Sequence, residues 1–92
     1  MINGPFSKLL SQTADLLELS KDNPFRIRAF RRAAQVVESH PQDLGGLTRK
    51  EWLAIPGIGQ GIAGMLEEFQ SKGKVEETER LKKKFPEGLL KM

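Results

Sequence analysis

The chain has 92 residues, a formal net charge of +3 and no cysteine. Such a length makes one domain, and a domain this small buries only about 60% of its unfolded surface, so nearly every apolar residue is needed inside. Without cysteine there are no disulfides and no thiolate metal sites. No apolar run reaches the roughly 18–20 residues that span a bilayer, and the opening MINGPFSKLL lacks the layout of a signal peptide. A single domain over residues 1–92, cytoplasmic and without a membrane partner, is the expectation.

In chain order, residues 6–19 place Phe6, Leu9, Leu10, Thr13 and Leu17 at helical spacing, with Pro5 suited to the first turn. SKDN interrupts this pattern. Asn23 before Pro24 then predicts a capped helix from 24 to about 39. On it Ile27, Phe30, Ala33, Ala34 and Val37 share one side, and Arg28, Arg31, Arg32 and Gln35 share the other. His40-Pro41 ends the helix, because a residue before proline is pushed out of helical angles. PQDLGGL reads as a loop.

Thr48 and Glu51 have the spacing of a capping box, which starts a short helix whose apolar side is Trp52, Leu53 and Ile55. Pro56 stops it, PGIG turns the chain, and a helix to about Ser71 follows with Ile62, Leu66 and Phe69 on one face and Met65 beside them. Lys72-Gly73 closes that helix. A last helix starts near Val75 with Thr78, Leu81 and Phe85, leaving a stub at 86–92. No strand pattern competes. The expected fold is all-α, a bundle of four to five short helices.

The turn IPGIG stands at the mouth of a helix. The first amides of a helix have no internal partners and lie at the positive end of its dipole, which makes an anion site. Here the donors would be the backbone amides of Gly57, Gly59, Gln60 and Gly61, around Ile58. A bare backbone lets a phosphodiester approach them.

The run LAIPGIGQGIAGML, with Ala63 four residues after the second glycine, resembles the helix-hairpin-helix motif, here over residues 48–71. That motif holds DNA backbone without reading sequence. With DNPFRIRAFRRAAQVVE before it and SKGKVEETERLKKKFPEGLLKM after it, residues 6–92 resemble the N-terminal domain of family X DNA polymerases, most closely the bacterial and archaeal type. The resemblance implies binding at gapped, nicked or 5′-phosphate-bearing DNA, in repair and at the nucleoid, alongside or as part of a polymerase. It also implies a monovalent cation, potassium or sodium, on the backbone carbonyls of Leu53, Ile55 and Ile58. It implies no polymerase chemistry in this chain, whose carboxylates would lie beyond Met92. Animal members use a hairpin lysine to excise 5′-deoxyribose phosphate. That position is Met65 here, and a second lysine position is Gly61, so a lyase would need a displaced amine such as Lys72 or Lys74.

The arginine stripe is read as phosphate-contacting, Arg28 and Arg32 ahead of Arg31, because guanidinium forks grip two oxygens and no glutamate shares the stripe. Arg26, at the helix opening, is open to a 5′-phosphate or to a structural salt bridge. Arg49 and Lys50 are open to either role. Lys82–Lys84 are expected to pair with Glu76–Glu79, Trp52 and Met65 to pack, and His40 to ligate nothing. Acidic residues at 67–79 are expected to form a surface apart from the arginines, and a protein-binding module is the rival use of that surface.

Overall fold

A computed structural model describes residues 1–85, which form five α-helices and one 3₁₀ turn with no strand among the described residues. The stub at 86–92 lies outside them. Helix α1 spans Asn3–Leu19, three residues earlier than its apolar pattern suggests. The extra turn buries Asn3 and extends the inward face that Phe6, Leu9, Leu10, Thr13 and Leu17 form. α1 ends with Asp22 N–H donating to the Leu17 carbonyl and Lys21 N–H to that of Glu18. This is the pairing glycine usually allows, here made with Lys21 at φ 57°.

Helix α2, Pro24–Ser39, is capped by the Asn23 side chain, which accepts the Phe25 N–H at 2.9 Å. Phe30, Ala33, Ala34 and Val37 are buried against α1, and Ile27 is half-buried beside them. The segment read as a loop contains a 3₁₀ turn at Leu44–Gly46. Asn3 fixes that turn from inside: its amide donates to the Gln42 carbonyl at 2.8 Å and its oxygen accepts the Leu44 N–H at 2.8 Å. Leu44 is fully buried, and its carbonyl takes the Trp52 indole N–H at 2.8 Å. Trp52 therefore packs in the core with its polar edge satisfied.

Asp43 opens the 3₁₀ turn, and its carboxylate accepts the N–H groups of Ile2 at 3.1 Å and Gly45 at 3.0 Å. Those bonds, Ile2's first, hold its pKa below the ordinary 3.8. A depressed carboxylate gives its full contribution above the unfolded value and loses it as pH falls through the folded one. The clasp between the N-terminus and this turn should therefore loosen below about pH 4. The Gly45 amide shift should titrate there in the natural chain and stay flat in Asp43→Asn, whose oxygen accepts at any pH.

Helix α3, Arg49–Leu53, has the full capping box: Thr48 accepts the Glu51 N–H and Glu51 accepts the Thr48 N–H. Its expected apolar side is narrower than the sequence suggests. Leu53 is 38% exposed and Ile55 lies past the helix end, half-buried, because a five-residue helix turns only Trp52 fully inward. Helix α4 is Gln60–Lys72, closed by Gly73 at φ 75°. Helix α5 is Glu76–Lys84, opened by buried Val75. α5 is clasped to α1 by Thr13 and Thr78, both fully buried, with hydroxyls 2.7 Å apart. Thr13 also lies 2.7 Å from the Leu9 carbonyl and donates there, so Thr78 is the donor to Thr13.

Candidate nucleic-acid interface

The hairpin is α3, the turn at 54–59, and α4. The Ile55 N–H bonds to the Trp52 carbonyl and the Ile58 N–H to that of Ile55 at 3.1 Å, so the chain reverses within a few residues. Pro56 has no N–H to leave stranded. Ile58 is 4% exposed, and its side chain plugs the turn into the core. The residue can offer a ligand only its backbone.

The glycines divide by what they do. Gly57 has φ 99°, and a Cβ there would stand 2.9 Å from Cγ2 of Val36 and 3.6 Å from Nε of Arg32. The fold itself needs that glycine. Gly59 and Gly61 have ordinary backbone angles and open space where a Cβ would point. Neither turn geometry nor packing requires glycine at these two positions.

Gly59 is also the N-cap of α4 and supplies no side-chain acceptor, in contrast to Asn23 and Thr48 at α2 and α3. The first bond of the helix is Ala63 N–H to the Gly59 carbonyl. The amides before it, including Gln60 and Gly61, have no intrahelical partner, and residues 59–61 are exposed. This is the bare, positively polarised helix start that the sequence predicts.

Beside it an open groove runs between α2 and α4, reaching Val75 and Glu77 at its far end. Arg32 meets the hairpin end through Gly57, whereas Arg26 reaches α5. Arg28 is exposed, with its guanidinium 5.1 Å from the centre of the Phe25 ring. Among the described residues neither Arg28 nor Arg32 forms a salt bridge. Both are among the residues that line the groove.

Arg31 and Arg26 are placed differently. Arg31 crosses to α1, 2.6 Å from Glu18 and 3.0 Å from Asp15. The stripe thus meets carboxylates from a neighbouring helix, which no count of charges along α2 can show. Arg26 puts one Nη on both oxygens of Glu77, at 2.5 and 2.7 Å, with Asp22 at 3.4 Å from the other. Hydrogen bonds to these carboxylates, Glu77 first for Arg26 and Glu18 first for Arg31, raise both guanidinium pKa values.

The expected separation of basic and acidic surfaces does not hold. Arg26–Glu77 joins α2 to α5, and Arg49 pairs with Glu67 across the hairpin. Glu68 accepts the Glu76 N–H at 2.8 Å, Glu76 pairs with Lys72, and Glu79 with Lys82. Every carboxylate of the 67–79 stretch has a partner inside the chain. Lys82 takes the helical pairing expected of it.

Phe25 is the residue that the sequence reading missed. It is 74% exposed and lines the groove. The signal was available: Phe25, Arg28 and Arg32 are spaced at i, i+3 and i+7, so an aromatic ring lies on the polar stripe. Met65 lines the groove, half-buried, and no lysine is among its described lining residues. No described helix is long and apolar enough to cross a membrane, and no described cluster of His, Asp and Glu would hold a metal.

Residues 1–75 match the family model described as "Helix-hairpin-helix domain". The chain is also similar to the DNA polymerase/3′-5′ exonuclease PolX of Bacillus subtilis (strain 168), 36% identical over 83 residues. That alignment covers 90% of this chain and 14% of the relative, so the chain spans about one seventh of the relative's length. The capped short helix, the glycine turn and the uncapped second helix are the motif in full, and the chain belongs to the helix-hairpin-helix domain family.

Proposed function

We propose that this chain grips the sugar–phosphate backbone of DNA without reading its sequence, at gapped, nicked or 5′-phosphate-bearing sites, as the binding domain of a family X polymerase or beside one in repair. One observation carries this reading above the others. The start of α4 is exposed and uncapped, and two of its glycines serve no structural need. Backbone amides at 57–61 would hold one phosphate, and Arg28 and Arg32 its neighbours along the groove. Phe25, exposed on the groove lining, offers a face on which an unpaired base can stack.

The hairpin carbonyls fit a monovalent cation. Ile55's oxygen accepts one N–H and keeps a lone pair, and among the described residues no backbone amide donates to the Leu53 or Ile58 carbonyl. Leu53, Ile55 and Ile58 would hold potassium or sodium there. Such an ion would supply positive charge at the turn, favouring a nearby phosphate.

Lyase chemistry is not part of the proposal. Met65 has no amine, and Lys72, nearest in sequence, is engaged with Glu76. The rival protein-docking use of the acidic stretch is weakened by its internal pairing.

The test is titration of a 5′-phosphorylated gapped duplex. With two arginine–phosphate contacts, raising salt from 50 to 200 mM should weaken binding about tenfold. Affinity should also fall when tetramethylammonium replaces potassium and sodium at equal ionic strength. Salt-independent binding would contradict phosphate contacts, and indifference to cation type would remove the ion. Borohydride should trap no covalent adduct on incised abasic DNA; an adduct lost in one lysine variant would instead show a lyase.

A further inference from the structure

The groove lining includes an ion pair that backbone binding at the hairpin does not use. Arg26 lines the groove, yet its guanidinium is spent on Glu77, which lines it too. We propose that Glu77 is an autoinhibitory counter-ion, seated on Arg26 where a further backbone phosphate would sit, so that a strand extending past the hairpin must displace it. This rests on the phosphate-binding reading above and adds a control on it.

The geometry is that of a substituted ligand. Both Glu77 oxygens lie on one Nη, at 2.5 and 2.7 Å, which mimics two oxygens of a phosphate. The two side chains are 40% and 37% exposed, so water and incoming anions reach the pair, and exposed pairs of this kind are weakly held. Arg26 also keeps a seat without Glu77, because Asp22 stays 3.4 Å from its other Nη and its guanidinium lies 5.7 Å from the Phe30 ring centre.

Exchange does not require α5 to leave. Val75 is buried before it, and Thr78, the residue after Glu77, donates to buried Thr13. Release is a side-chain movement on a fixed helix. The same facts separate a latch from a clamp. If Glu77 served to hold α5, its loss would cost stability; if it holds Arg26 in reserve, its loss frees a binding group.

The experiment compares DNA binding of the 92-residue chain with that of Glu77→Gln and Glu76→Gln, using one 5′-phosphorylated gapped duplex at about 100 mM salt. Glu76→Gln removes the same charge from the same helix but frees no groove arginine, Glu76 being paired with Lys72. Glu77→Gln should bind about three- to tenfold tighter than Glu76→Gln, with a plot of log K against log salt steeper by about one phosphate contact. Arg26→Ala should change the natural chain less than about twofold, yet abolish the gain when added to Glu77→Gln.

A gain equal in both glutamine variants, or one that survives Arg26→Ala, would overturn the latch while leaving hairpin binding intact. If neither the natural chain nor Glu76→Gln binds the duplex, the backbone-binding reading and the latch fall together. Thermal melting should place Glu77→Gln within about 2 °C of the natural chain, as for an exposed ion pair. A larger fall would make Glu77 a clamp and count against the proposal.

Discussion

Gly59→Asp should make the protein slightly more stable and weaken its binding to DNA about thirtyfold. Gly59 is the N-cap of α4 with ordinary backbone angles, and a Cβ there meets nothing within 4 Å. Aspartate is among the preferred N-caps, and its carboxylate would accept the free amide of Gly61 or Ile62. The gain over glycine is a few tenths of a kcal/mol from the cap, with a similar amount from the helix dipole. For a domain of this size that amounts to about 2–4 °C in melting temperature.

The same carboxylate takes the place of the phosphate. It occupies the amides and sets a negative charge where the ligand's charge must come. Two unit charges about 4 Å apart near a protein surface repel by up to roughly 4 kcal/mol. Allowing for water and salt, about 2 kcal/mol remains, which is a loss of about thirtyfold in affinity. Stability and binding thus move in opposite directions, which damage to the fold cannot imitate. Gly57→Leu should behave otherwise. Its φ of 99° and the nearby Val36 methyl strain any side chain, so binding and stability should fall together.

Arg28→Ala with Arg32→Ala is the second large effect. Each neutralised phosphate contributes a factor of about eight at 0.1 M salt relative to 1 M. The double variant should therefore bind about sixtyfold more weakly at 0.1 M, converge on the natural chain at high salt, and show a salt slope flatter by about 1.8. Arg31→Ala should leave binding nearly unchanged, because that side chain is committed to Asp15 and Glu18. Lys83→Ala, outside the groove lining, should likewise change little. Equal losses from all four arginine and lysine positions would indicate a diffuse basic surface instead of a site.

Much of this was legible in the order of residues because it depends on local chemistry. Asn23-Pro24, Thr48 with Glu51, and Gly73 mark helix ends through bonds made within a few residues, and each lies where it was expected. The core faces of α1 and α2 follow from helical spacing alone. What escaped depends on distant partners. Asn3 lengthens α1 and turns residues 44–46 through hydrogen bonds spanning about forty positions, and nothing in either segment announces the other.

The site divides in the same way. The uncapped glycine start of α4 is a local feature and could be read directly. Which arginines are free could not, because Arg26 and Arg31 are claimed by carboxylates from α5 and α1, 51 and 13–16 residues away. Phe25 was legible, because it stands outside the core face and at helical spacing from Arg28 and Arg32. Gly57 and Gly59 look alike in sequence. Only the neighbouring Val36 shows that the first serves the fold and the second leaves its helix start open.

The central claim is that a bare helix entrance, not the sum of positive charge, seats the DNA strand. Amide spectra of the labelled chain, recorded while the gapped duplex is added, address this most directly. The account predicts that the N–H signals of Gly57, Gly59, Gln60 and Gly61 shift first and furthest, followed by residues around Arg28 and Arg32. If those four signals stay still while α1 or the 3₁₀ turn responds, the hairpin is not where this protein holds DNA.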